Sequence, residues 1–109
     1  MENEFGAKLD RNGYAPSILQ WTADEECAFC RVQSKGLLAR HEVFQGKNRT
    51  ASKRYGLWIT VCPSCHSFIH SNPAAADVAD LDKQAQNQAM HKYGWTEDQF
   101  IQRFGKNYL

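Results

Sequence analysis

The apolar residues of this chain gather in two short central runs. "LLARHEVF" (37–44) and "YGLWITVC" (55–62) are rich in leucine, aromatic and β-branched residues, and the polar "QGKNRTASKR" (45–54) divides them. Runs of this length and type read as strands, and the polar stretch between them reads as a loop. The short connection makes the two strands antiparallel neighbours. After Cys62 the pattern turns helical. Pro63 suits a first helical position, where its missing N–H costs nothing, so a helix is expected from Pro63 to about His70. A longer helix follows, with Asn72 as its cap, Pro73 as its start and Gly94 as its stop. Its Val78, Leu81, Ala85, Ala89 and His91 make no heavy apolar stripe, which places it on the domain surface. Thr96 and Gln99 match a capping box at the head of a last helix. Phe100, Ile101 and Phe104 form its apolar face, and Gly105 ends it.

The first residues are weakly patterned and punctuated by Gly6, Gly13 and Pro16. Residues 1–24 are therefore expected as an arm that packs on the core or frays, and residues 25–109 as the domain. The expected fold class is α+β: a small ββα core followed by two further helices.

Length changes the picture first. A chain of 109 residues buries a modest core, so a metal staple would help it fold. No apolar run approaches a membrane span. The opening "MENEFGAKLD" is acidic and mixed, unlike a signal peptide, which leads to an expectation of a reducing cytoplasm. There, paired cysteines hold metal more often than disulfides.

Charge is uneven. Residues 1–30 carry two basic and six acidic side chains, a balance of −4. Residues 31–54 carry seven basic ones (Arg31, Lys35, Arg40, Lys47, Arg49, Lys53, Arg54) against Glu42 alone, a balance of +6. Such a block either attracts phosphate or is simply a solvated loop.

Cys27-x-x-Cys30 and Cys62-x-x-Cys65 are identically spaced pairs with 31 residues between them. A two-residue gap lets two thiolates converge on one tetrahedral ion, and two such pairs close a four-thiolate structural zinc site. A redox use would want a thioredoxin-like context, and none is visible. His66 and His70 are then left over. At i, i+4 on the expected helix they share a face and can present two imidazoles to one ion, with His41 as third ligand. Alternatively, His66 backs the zinc knuckle and His70 caps the helix end. His91 stands alone and reads as a surface histidine.

These residues, taken in order, resemble a known family. The succession of CxxC, a strand with "HEVF", a basic loop, a second strand, "CPSCH" and "IH" resembles the HNH (His-Me finger, ββα-metal) endonucleases. It is most similar to small zinc-bound versions from phages and prophages, which the terminal "FGKNYL" also resembles. As motif the resemblance covers about residues 25–72. It implies a ββα-metal, treble-clef-like core stapled by Cys27, Cys30, Cys62 and Cys65 on structural Zn²⁺. It implies a second, catalytic divalent ion on His41, His66 and His70. Three imidazoles suit Zn²⁺, Mn²⁺ or Ni²⁺ better than Mg²⁺. It further implies DNA as partner, gripped by its phosphate backbone through Lys47, Arg49, Lys53 and Arg54, with little sequence information. Phage or recombination proteins as partners and a bacterial cytoplasm belong to the same implication.

Two positions depart from the family pattern. Glu42 stands where the family usually has a histidine general base, and Leu57 stands where an asparagine orients that base. A carboxylate with an ordinary value near 4.3 is a weaker base than imidazole unless burial raises it. A register shifted by one residue would make His41 the base, and Glu42 could instead hold a histidine tautomer. Metal-assisted phosphodiester hydrolysis is thus one expectation. A non-catalytic zinc-stapled nucleic-acid-binding module on the same scaffold is the other, and a zinc-stapled protein-interaction module is a third.

Overall fold

The computed structural model describes residues 1–33 and 36–109, so Lys35 of the basic block lies outside the described residues. β1 (Ala39–Glu42) and β2 (Trp58–Val61) form a two-stranded antiparallel sheet. Four helices accompany it: α1 (Arg49–Arg54), α2 (Pro63–Ser71), α3 (Ala76–Tyr93) and α4 (Glu97–Phe104). The fold is α+β, as expected. Both strands are shorter than the apolar runs that contain them. Val43 still donates to the Leu57 carbonyl at 3.0 Å, but the next N–H, that of Phe44, turns to Ser52 Oγ at 3.1 Å.

That serine explains the first correction. Segment 45–54, expected as a loop, is a short 3₁₀ turn (Gly46–Asn48) followed by α1. Six residues are too few to hold a helix alone. Ser52 is fully buried, and its Oγ also donates to the Phe44 carbonyl at 2.7 Å, which fastens α1 to the end of β1.

Adjacent β residues point to opposite faces, while paired residues share one. The register pairs His41 with Ile59 and Glu42 with Trp58. His41 therefore faces α2, and Glu42 faces away from it. The opposite face is covered by residues 1–24. Trp58 Nε1 donates to the Ala15 carbonyl at 2.8 Å, and Gln20 Oε1 accepts from the Thr60 N–H at 2.8 Å. Gly56 sits where this segment crosses the hairpin. Its φ is +72°, and a Cβ there would collide with the Pro16 carbonyl oxygen.

α3 brings the second correction. It begins at Ala76, because Asn72 closes α2 instead: both its N–H and its Nδ2 donate to the Phe68 carbonyl. One face of α3 is sunk into the core, while the other stays exposed. Val78, Leu81, Ala85, Gln86 and Ala89 are buried. Two alanines on this face let the helix pack closely, a pattern that an apolar stripe count misses. Gln86 accepts from the Tyr108 N–H at 2.7 Å and donates to Asn107 Oδ1 at 2.8 Å, which pins the C-terminal tail. α4 keeps its capping box, and Phe100 and Phe104 pack on Phe44 with centroids 5.5 and 5.0 Å away. Tyr55 and Trp58 are buried in the core.

Candidate metal centres and their basic flank

Cys27 and Cys30 lie on a tight turn. The Cys30 N–H approaches Cys27 Sγ at 3.5 Å, and Ala28 N–H donates to the Thr60 carbonyl at 2.9 Å, hanging the turn on β2. Cys62 caps α2, Pro63 starts it and Cys65 follows on its first turn. The four Sγ atoms all lie within 4.8 Å of one another. Cys30 and Cys62 are 3.6 Å apart, far beyond a disulfide's ~2.05 Å. The value is close to the roughly 3.8 Å between ligands of a tetrahedral zinc with Zn–S about 2.3 Å. Burial opposes the Cys27 thiolate, yet backbone N–H groups directed at its sulfur outweigh this and bring the thiol down to about 6. The donor set fits a zinc ion.

The second cluster comes from β1 and α2. His66 and His70 lie one helical turn apart, with their Nε2 atoms 3.0 Å from each other. The His41 ring centroid is 5.5 Å from each of theirs. One ligand nitrogen from each of the three lies within 4.8 Å of the others. His41 is buried, His66 half-buried and His70 exposed, so the cluster opens to solvent on one side. Burial first, and the neighbouring rings of His66 and His70 second, push His41 down to about 4. Burial likewise lowers His66. Neutral imidazoles are the form that ligates a metal. His41 Nδ1 lies 3.2 Å from the side-chain amide of Gln45. Amide oxygen and nitrogen are assigned from such contacts. The atom there is the amide nitrogen, which donates to Nδ1; turning the amide over would let its oxygen accept from Nδ1–H and leave His41 Nε2 for an ion.

Both ligand sets read from the sequence are thus brought together in space. Glu42 sits apart from them on the other face, 6% exposed, with both oxygens engaged. Tyr14 Oη donates to Oε2 at 2.7 Å, and Arg49 Nε donates to Oε1 at 2.9 Å. Burial works to raise this carboxyl, but these two donors prevail and hold it below its ordinary value. The same burial and hydrogen bond push Tyr14 up to about 12. Leu57 is fully buried and contributes its backbone to Val43. Asn48 donates from Nδ2 to the Phe104 carbonyl at 2.9 Å and so ties α1 to α4.

The four cationic residues do not form one uniform patch. Arg49 pairs with Glu42 while its side chain stays 60% exposed. Arg54 pairs with Glu4 at 3.1 Å, and Lys53 Nζ lies 5.0 Å from the centre of the Tyr14 ring. Lys47 lies in the 3₁₀ turn near Gly105. Arg40, from the same basic block, is taken up by Asp10 and Asp24. His91 is exposed. The contributions of Tyr14 and Gln45 went unread in the sequence. Tyr14 carries no signal there, whereas Gln45, four residues after His41 and at the end of the hairpin's first arm, is the position an outer partner would take.

Comparison with protein-family models, with curated proteins and with solved structures returns no match. What stands is a small α+β domain with a ββ-hairpin and two metal-ligand clusters, one of four cysteines and one of three histidines, consistent with a metal-binding ββα-like module. Among the described residues no helix is long and apolar enough to cross a membrane.

Proposed function

We propose that this protein is a zinc-stapled nucleic-acid-binding module. Cys27, Cys30, Cys62 and Cys65 hold a structural Zn²⁺. His41, His66 and His70 hold a second divalent ion, Zn²⁺, Mn²⁺ or Ni²⁺ more readily than Mg²⁺, on the open side where a DNA phosphate can approach. Lys47, Arg49, Lys53 and Arg54 hold the backbone. The convergence of three histidines on a site open to solvent at His70 carries this reading, with the exposed cations Lys47 and Arg49 in support. Its test is duplex DNA binding by fluorescence anisotropy across a salt series. Affinity should fall with salt, and Lys47→Ala with Lys53→Ala should lower the slope by about 0.9 for each phosphate no longer neutralised. Binding that ignores salt, or no binding at all, overturns it and points to the protein-interaction module.

A second reading is hydrolysis, as an HNH-type DNA endonuclease or nickase. One observation favours it: three imidazoles leave a tetrahedral ion with an open position, as catalytic sites have and structural ones lack. There the ion would stabilise charge on the phosphate, and His41, His66 and His70 would fix it. Glu42, the expected base, weighs on the other side, because it faces away from the histidines and both its oxygens are engaged by Tyr14 and Arg49. Plasmid nicking with Mg²⁺, Mn²⁺, Ni²⁺ or Zn²⁺ added in turn separates the two readings. Metal-dependent nicking that disappears in His66→Ala establishes the nuclease. No cleavage by folded, zinc-loaded protein leaves the binding module.

A further inference from the structure

A cavity of about 250 Å³ adjoins the three-histidine cluster, and His41, Gln45, His70, Asp82 and Tyr108 are among its walls. Asp82 comes from α3, far from any motif. It is half-buried and makes no hydrogen bond or ion pair among the described residues. A carboxylate in that position is costly unless a donor reaches it. Burial accordingly raises Asp82 to about 6, with Lys106 opposing.

His70, which lines the same cavity, supplies an unmatched donor. His70 presents Nε2 to His66, so its other ring nitrogen, Nδ1, is the one that carries hydrogen when Nε2 ligates an ion. Among the described residues that Nδ1 has no hydrogen-bond partner. Ligating histidines nearly always donate their second N–H to a carboxylate, a carbonyl or water, which fixes the ring and raises its basicity. For His41 the neighbour is Gln45. For His70 the carboxylate lining the shared cavity is Asp82.

We infer that Asp82 is the positioning carboxylate of the histidine centre, accepting the Nδ1–H of His70 across this cavity, directly or through one water, when the ion binds. The inference rests on the second ion of the proposed function. It brings α3, outside the hairpin and α2, into a centre whose ligands all come from β1 and α2.

The test is ion affinity rather than activity. Protein carrying one equivalent of zinc, enough for the thiolate site alone, is titrated with Co²⁺, following the d–d absorption of the nitrogen site and competing with a chelator. Asp82→Asn should weaken this site 10–100-fold, as expected for loss of an outer-shell partner, with the four-thiolate site unchanged. Asp80→Asn, which changes an exposed carboxylate on the same helix outside the cavity walls, should leave the affinity within about twofold. Equal affinity in Asp82→Asn and wild type, with both folded by circular dichroism, overturns the inference and leaves the ion site standing. No Co²⁺ uptake by wild type beyond the thiolate site removes the ion and the inference together.

Discussion

Tyr14→Phe removes one hydroxyl and tests whether the N-terminal segment holds Glu42. The ring keeps its edge contact with Trp58, 5.4 Å between centroids, and its place under the Arg40 guanidinium. What disappears is the 2.7 Å hydrogen bond to a carboxylate that is 6% exposed. A hydrogen bond to a charged acceptor contributes about 1.5–3 kcal/mol, and burial argues against solvent screening of this one. At about 4 °C per kcal/mol for a chain of this length, Tm should fall by roughly 6–12 °C. The assay is urea and thermal unfolding at pH 7 with free zinc buffered, since bound metal moves both midpoints. A second background supplies the control. In Glu42→Gln the acceptor is neutral, and a bond of that kind contributes about 0.5–1.5 kcal/mol. The cost of Tyr14→Phe should therefore drop by about half. A cost below about 0.5 kcal/mol, or an equal cost in both backgrounds, would refute the idea that Tyr14 stabilises the charged form of Glu42.

Three other outcomes are expected. Stripping zinc with a chelator should abolish cooperative folding, because structural zinc supplies about 10–16 kcal/mol and a domain this size has about 5–15 to lose; a dispersed NMR spectrum in chelator would contradict this. Gly56→Ala should cost more than about 1 kcal/mol in urea unfolding, because alanine resists the positive φ and its methyl meets the Pro16 carbonyl. With the second ion removed, His41 refuses until about pH 4 a proton that the unfolded chain accepts near 6.5. Its share of stability is thus fully present above 6.5 and shrinks as pH falls toward 4, so urea midpoints should decline from pH 7 to 5.5 less steeply in His41→Gln.

Much of this arrangement is legible in the order of residues alone. Ligand spacing is local chemistry, so CxxC and HxxxH point to their centres, and the apolar runs, Pro63 and the Thr96–Gln99 box mark their elements. Other features depend on segments distant in the chain. Segment 45–54 is helical because buried Ser52 grips Phe44, a bond that no polar-residue count reveals. α3 packs one face on the core through alanines and a hydrogen-bonded Gln86. Tyr14 reaches Glu42 across 28 residues, and Asp82 enters the cavity wall only because α3 packs there. Composition gives the sign of the basic block, while the pairing of Arg54 with Glu4 and Arg49 with Glu42 requires the fold.

The nine residues from Cys62 to His70 carry ligands for both clusters on α2 and its cap. Each residue of a helix turns the next by about 100°. One residue added or removed between Cys65 and His66 would swing both histidines about a quarter-turn away from His41 while the thiols stayed in place. Point substitutions elsewhere on α2, at Ser64 or Ser67 for example, leave that phase intact. This stretch should therefore admit changes of letter but not of length, and a one-residue insertion there would disconnect the two centres without touching a single ligand.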